Sequence, residues 1–323
     1  MNTQNTLDLS IVIPVYNEEE NVEGLHQEIT DALSEYKGAY EIILVDDGSG
    51  DQTVDKLKGL VEKDSHLKVV CLSNNFGQTA AMSAGFDKAQ GEVIITMDGD
   101  RQNNPKDIPM MLDIMADGEF DVVSGWRRRR KDPFLNRKLP SWIANYLISL
   151  VTGVHLHDYG CTLKAYRKRY IKNIRLYGEM HRFIPAYAAW LGAKVTEVEV
   201  DHRARCAGKS KYGIMRTFKV ILDLFTVKFL GSYSTSPIYL FGMFGFLLTI
   251  AGFLFGVITL IQKYTMGIWV HKNPLILLAV FLFILGFQCI FIGLLAELLI
   301  RTYHESQDKP PYFIKDVLHK ASS

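Results

Sequence analysis

The sequence holds no two cysteines placed to act together. Its four cysteines, Cys71, Cys161, Cys206 and Cys289, form no CxxC pair, which excludes a zinc ribbon or dithiol redox motif and fits free thiols in a reducing compartment. It also lacks an excess of either charge. With 36 Lys and Arg against 35 Asp and Glu, the net charge of +1 leaves no global footprint for nucleic acid. His155, His157, His181 and His202 are dispersed without ligand spacing, so structural roles are expected for them rather than a histidine metal centre. Residues 1–8 are polar and have neither a basic n-region nor an apolar h-region, so no signal peptide is expected and the front of the chain should stay on the side where it is made. Internal repeats and low-complexity segments are lacking as well.

What the chain does have is a strongly apolar C-terminal quarter. The 48% hydrophobic content of its 323 residues and mean hydropathy of +0.05 are high for a purely soluble protein. Residues 238–261 and 275–295 are two apolar stretches of bilayer-spanning length, the second closed by Glu297 and Arg301. The loop between them is short and carries Tyr264 and Trp269, so a transmembrane hairpin is expected with both ends on one side. Arg216, Lys219, Lys228, Arg301, Lys309 and Lys315 flank it against Lys263 and Lys272 in the loop, which favours a cytoplasmic N-terminal domain and a cytoplasmic tail at 301–323. Residues 214–231 read as a juxtamembrane amphipathic helix. The basic run 127–131, with Arg137 and Lys138, leads into 139–152, where Trp142, Tyr146 and aliphatic residues suggest a helix lying in the membrane interface.

From residue 9 to about 125, short β-branched runs alternate with amphipathic stretches of helical length, the pattern of an α/β domain with a mostly parallel sheet. Strands are expected at 9–15, 41–45, 67–72, 92–97 and 121–124. The first helix is expected to start at Asn17 as N-cap, with Glu20 completing a capping box. Ligands of such sheets collect at the carboxyl ends of the strands, where Asn17, Asp46, Asp47 and Asp98 fall.

Asp98-Gly99-Asp100 follows the fourth of these strands. Two carboxylates two residues apart at a strand end can be turned toward one hard cation, Mg2+ or Mn2+, which takes oxygen ligands and shares them with substrate phosphates. Such an ion stabilises a departing diphosphate as a Lewis acid.

Four motifs occur in order: Ser10-Ile11-Val12-Ile13-Pro14-Val15-Tyr16-Asn17-Glu18, Val45-Asp46-Asp47-Gly48-Ser49, Asn75-Phe76-Gly77-Gln78 and Asp98-Gly99-Asp100-Arg101-Gln102-Asn103-Asn104-Pro105. Together they resemble the GT-A fold, family 2 glycosyltransferases. More narrowly, nearly the whole chain is similar to the polyprenyl-phosphate group, which includes dolichyl-phosphate mannose synthases and undecaprenyl-phosphate glucosyl- and aminoarabinose transferases. The resemblance implies a cytoplasmic GT-A domain over 1–213, anchored to the inner membrane. It implies nucleotide-sugar contacts from Pro14, Tyr16, Glu18, Asp47, Gln78 and Asp98, and metal ligands Asp100 and Gln102. Gly99 and Arg101 stand where Ala and Leu are usual; Arg101 adds a cation beside the metal, directed at phosphate or at solvent. Asp158, in Asp158-Tyr159-Gly160-Cys161, matches an acidic residue near the acceptor and completes the catalytic set with Asp98 and Asp100, as an orienting group before a base.

For the acceptor phosphate the resemblance implies Arg127 and Arg137, together with Arg205, Ser210 and Lys211 of Arg205-Cys206-Ala207-Gly208-Lys209-Ser210-Lys211-Tyr212; cations suit phosphate oxygens. Arg128, Arg129 and Arg130 are expected to face anionic headgroups, and His181 lies in a segment that matches an acceptor-side helix. The expected reaction is inverting transfer of one sugar, from UDP rather than GDP, to undecaprenyl or a related polyprenyl phosphate, for cell-envelope glycan or lipid modification. The stretch 158–167 looks closest to the aminoarabinose transferases. A homo-tetramer is a further implication, and two helices make no pore, so a separate flippase and a downstream glycosyltransferase are implied partners. A processive polysaccharide synthase of the same fold would carry a QxxRW motif and more membrane helices, and a non-catalytic membrane scaffold would not need Asp98, Asp100 and Gln102 intact.

Overall fold

A computed structural model describes residues 7–117, 119–128, 139–172, 174, 176, 180–203, 237–306 and 314–318. The chain divides into two compact units, one of residues 1–227 with 310–323 and the other of residues 228–309.

The first unit opens with β1 (Leu9–Val15), α1 (Val22–Ala32), β2 (Tyr40–Asp46), α2 (Thr53–Val61), β3 (Leu67–Leu72), α3 (Gln78–Lys88), β4 (Val93–Thr96), α4 (Ile108–Ala116) and β5 (Val122–Trp126). It continues through α5 (Leu139–Thr152), β6 (Lys164–Arg167), the single turn α6 (Lys168–Ile171), α7 (Ile184–Trp190) and β7 (Val195–Glu199). The five strands read from the sequence are present within one or two residues at each end. Alternation explains why: along β1, Leu9, Ile11, Ile13 and Val15 enter one core with Leu25 and Ile29 of α1, Leu57 of α2 and Met111 of α4. The first helix begins four residues later than the capping pattern indicated, with Asn21 as N-cap. Asn17 sits in the left-handed region at φ 51° and spends its carboxamide oxygen on the Gly50 N–H at 2.9 Å, so it ties two loops together instead of capping α1.

The strands form one mixed sheet in the order β7-β5-β6-β4-β1-β2-β3, extended at the β3 edge by β8 (Ile314–Leu318). β1 pairs in parallel with both β2 and β4, so the strand order reverses at β1/β4, and a ligand crevice is expected beyond their carboxyl ends. β6 lies antiparallel between β4 and β5, with Lys164 opposite both Thr96 and Ser124. The turn that precedes β6 is therefore delivered to the same edge as the ends of β4 and β5. β8 pairs antiparallel with β3, so part of the segment expected only as a tail belongs to the sheet.

The second unit is a helical hairpin of α8 (Pro237–Met266) and α9 (Pro274–Ser306). Phe241–Met266 and Pro274–Ala296 are long and apolar enough to cross a membrane, and only 17% and 11% of their most apolar windows is buried in protein. That outward exposure of Phe253, Phe281, Leu295 and their neighbours is the opposite of a soluble core helix. The helices approach closely at Gly245 and Gly286, where an added Cβ at Gly286 would lie 2.7 Å from the Gly245 carbonyl.

Candidate active site

The carboxyl ends of β1, β4 and β5 and the turn before β6 meet at one edge of the sheet, and each contributes part of the site. Asp98 and Asp100 leave β4. Asp98 accepts from Gln78 Nε2 at 2.8 Å. Burial, then the neighbouring charge of Asp100, pushes the Asp98 carboxyl above its ordinary range. Asp100 is buried and accepts from the Gln102 backbone N–H at 3.2 Å. Asn103, also buried, accepts from both the Asp98 N–H and the Thr162 hydroxyl at 3.2 Å, and so locks the turn to the chain before β6.

This donor set fits a divalent cation. Two crowded carboxylates whose mutual charge raises one of them gain from a shared cation, and the donors are hard oxygens. Among the described residues no three Asp, Glu, His or Cys side chains converge. Asp100 and the Gln102 amide oxygen are the groups that could hold such an ion, with phosphate and water in the remaining positions.

Beyond the turn, Arg127 and Asp158 meet as a nearly buried bidentate pair: Nε donates to Oδ2 at 2.7 Å and Nη2 to Oδ1 at 2.9 Å. Burial pulls the guanidinium down, but Asp158 more than offsets it and holds Arg127 above its ordinary value. The sequence reading gave these two residues separate tasks, whereas the fold joins them into one unit. Their neighbours Trp126 and His157 stack outside at 4.4 Å between centroids. His157 binds Glu197, while Arg128 lies over Trp126 and pairs with Glu199. Arg128 thus has an acidic partner within the protein while its side chain stays exposed.

At the carboxyl end of β1, Pro14, Tyr16 and Glu18 are half-buried. Glu18 accepts from Asn21 Nδ2 at 2.6 Å. Asp47 accepts the Phe76 and Gly77 N–H groups at 2.8 and 2.9 Å, bonds that orient the entry to α3 and hence Gln78. Burial nonetheless raises the Asp47 carboxyl, helped by Asp46. Arg101, expected to face phosphate or solvent, does neither: it crosses to α1 and binds Glu28. His181 is buried against Thr79 at 2.7 Å. Burial, with the cations Arg182 and Lys164, holds it well below its ordinary value, so it stays uncharged. Arg137, Arg205, Ser210 and Lys211 lie outside the described residues.

Three participants had escaped the sequence reading. Thr162 and Asn103 carry the link between the β4 turn and the chain before β6. Lys164 is buried at the start of β6 and donates to the Tyr159 carbonyl at 3.0 Å; burial pushes it down to about 8. With Thr96, Thr162, His181 and Arg182 it lines a cavity of about 10 Å3, space for roughly one water. A lysine inside the otherwise apolar stretch Leu163-Lys164-Ala165-Tyr166 was the available signal.

The sequence pattern described as "Glycosyl transferase family 2" matches residues 10–175. The chain is 44% identical over 320 residues to dodecaprenyl-phosphate galacturonate synthase of Rhizobium johnstonii, covering 98% of this chain and 95% of that one. It is 38% identical over 317 residues to undecaprenyl-phosphate 4-deoxy-4-formamido-L-arabinose transferase of Salmonella choleraesuis, again covering 98% and 95%. Glucosyl-3-phosphoglycerate synthase from Mycobacterium tuberculosis, crystallised with Mn2+ and UDP-glucose, superposes with a TM-score of 0.54 at 16% identity over 69% of this chain and 79% of that one, a likeness of fold. Sequence, fold and the arrangement of the β4 turn agree: the chain belongs to glycosyl transferase family 2, and within it to the polyprenyl-phosphate glycosyltransferases.

Proposed function

We propose that this enzyme transfers a single sugar from a nucleotide diphosphate donor, UDP-linked, to the phosphate of a polyprenyl lipid with inversion at the anomeric carbon. The observation that carries the reading is the convergence of Asp98, Asp100 and Gln102 with the Arg127–Asp158 pair at one sheet edge, in a chain that also carries two helices of membrane-spanning length. An acceptor phosphate oxygen forms the new bond to the anomeric carbon. The bond from that carbon to the donor diphosphate breaks, and the nucleoside diphosphate leaves with the electron pair. Asp100 and Gln102 would hold a divalent cation, Mg2+ or Mn2+, which when bound would stabilise that leaving group as a Lewis acid. Asp98, fixed by Gln78, contacts the donor. Pro14, Tyr16, Glu18 and Asp47 hold the nucleoside.

A phosphate monoester has its second pKa near about 6, so the nucleophile arrives largely anionic at neutral pH. A strong protein base is therefore unnecessary. Asp158, with both oxygens accepting from Arg127, is better placed to orient than to take a proton, and the paired guanidinium supplies positive charge beside the entering phosphate. Arg137, Arg205, Ser210 and Lys211 complete the acceptor site in this reading.

The 1–213 domain and the tail face the cytoplasm, and the hairpin anchors the enzyme in the membrane that carries its lipid acceptor. In support, the chain returns after the hairpin to the sheet unit as β8, as a two-span hairpin with both ends on one side would allow. In α5, buried Ile148 and Thr152 alternate with exposed Tyr146 and Leu150, the pattern of a helix with one face for lipid.

The test is nucleoside diphosphate release by the purified full-length chain, with and without polyprenyl phosphate and with and without Mg2+ or Mn2+. UDP and GDP forms of galacturonic acid, 4-deoxy-4-formamido-arabinose, glucose and mannose form the donor panel. Acceptor-dependent release with a β-linked product from an α-linked donor is expected. EDTA-insensitive turnover or retained configuration overturns the mechanism.

A further inference from the structure

Arg101 occupies an unusual place for a residue inside a metal-binding turn. Its backbone is left-handed at φ 60°, a conformation that non-glycine residues hold only when their surroundings enforce it. The enforcing contact is with α1, where Nε and Nη2 of Arg101 donate to Glu28 Oε1 at 3.1 and 2.5 Å. The other oxygen of Glu28 accepts from Arg203 Nη1 at 3.1 Å. Arg203 in turn donates through Nη2 to Asn104 Oδ1 at 2.6 Å. Its backbone is stitched to Gln102: the Arg203 N–H donates to the Gln102 carbonyl at 2.9 Å, and Gln102 Nε2 reaches the Arg203 carbonyl at 3.5 Å. Asn103 and His202 add an isolated β-bridge. One carboxylate thus clamps the turn 101–104 from two sides.

The clamp is shaped to fit. Gly24 and Glu28, one helical turn apart, share a face of α1, and the guanidinium of Arg101 lies directly over Gly24. A Cβ there would sit 2.6 Å from Nη1 and 2.7 Å from Cζ, so any larger residue displaces the arginine fork. The three charged side chains are about a quarter to a third exposed. An isolated pair at that exposure counts for little, but two forked cations on one carboxylate with backbone ties fix a geometry.

We propose that Glu28, acting through Arg101 and Arg203, is a positioning residue for the donor's divalent cation, setting the turn from which Asp100 and Gln102 present their oxygens. The role assigned to the three is to position the turn, not to contact the reacting atoms. The proposal rests on the metal-dependent reading given above, and it adds Glu28 of α1 and Arg203, which lie outside the four motifs. Groups that orient metal ligands change affinity by about tenfold or more when removed.

The experiment uses the full-length protein in detergent with UDP present and measures Mn2+ binding by electron paramagnetic resonance alongside thermal unfolding. Glu28→Gln is expected to weaken Mn2+ binding by about tenfold, with Glu28→Asp recovering part of it. In turnover, the Mn2+ concentration for half-activation should rise by a larger factor than kcat falls. Gly24→Ala separates positioning from stability. Alanine favours the helix and should keep or raise the unfolding temperature, yet by displacing the Arg101 fork it should also weaken Mn2+ binding. Wild type binding Mn2+ while both Glu28→Gln and Gly24→Ala bind it equally well overturns the clamp alone. Wild type binding no Mn2+ with UDP overturns the metal reading and the clamp together.

Discussion

The sheet unit keeps Asp47, Asp100, Asp158, Lys164 and His181 buried, and holds Asp158 with Arg127, Asp47 with two N–H groups and His181 with Thr79. The hairpin turns Phe246, Phe253, Phe281, Phe291 and Leu299 outward and satisfies its backbone within each helix. The first is organised for water, where burying a polar group demands a partner. The second is organised for lipid, where helices hide the backbone and apolar side chains need no cover. The contrast teaches that buried polar groups in the sheet unit are held by specific partners, and that small residues in the hairpin are held for packing. Each half can be broken separately.

The largest effect is expected at the buried ion pair. Asp158→Ala leaves the Arg127 guanidinium buried without its carboxylate, a loss of about 3–5 kcal/mol, read by denaturant unfolding of the sheet unit. The double change with Arg127→Met should recover much of that stability but not the transfer activity. Next, Asp100→Asn should lower kcat by on the order of 10^2 to 10^3, the scale for removing one electrostatic stabiliser of a leaving group. It should leave unfolding of the sheet unit unchanged or slightly later, because a crowded negative charge is gone. Measuring turnover and melting on one preparation checks both.

On the hairpin side, Gly286→Leu drives a side chain into the Gly245 carbonyl and the Thr249 hydroxyl. It should cost about 1–3 kcal/mol of hairpin packing, seen as earlier thermal aggregation in detergent while UDP affinity stays at the wild-type value. A changed UDP affinity would show that the two units are not energetically separate. Leu150→Glu on α5 should raise KM for the lipid acceptor by about tenfold, the scale of about 1.4 kcal/mol from partial withdrawal of a leucine, with donor KM unmoved.

The smallest effect concerns acid stability. Burial raises the Asp64 carboxyl, but the His66 N–H, the side chains of His26 and His66 and the His26 charge together bring it below its ordinary value. A carboxyl depressed by folding stabilises the fold above its unfolded pKa of about 4 and loses that contribution as pH falls through the folded value. Asp64→Asn should therefore narrow the stability difference between neutral and acidic pH, read as a flatter unfolding curve below about pH 4.

Much of this was legible because it is local. Alternation in Leu9-Ser10-Ile11-Val12-Ile13 marks a strand wherever its partners lie, and the apolar length that defines the hairpin is a property of a continuous stretch. The capping signal at Asn17 misled because its carboxamide is taken by Gly50, thirty-three residues away. The alternatives left open for Arg101 were resolved by Glu28, a helix residue with no motif to announce it.

By itself the sequence determined the family, the order of the first five strands, the Asp98-Gly99-Asp100 turn and the two membrane-length helices, all encoded in contiguous residues. Only the tertiary structure decided that β6 enters antiparallel between β4 and β5. That placement makes Arg127 and Asp158 one ion pair beside the turn and lets α1 hold the turn through Glu28. Such contacts join residues 31 to 175 positions apart. They exist because strand pairing and burial bring those residues to one edge, and no local pattern records that.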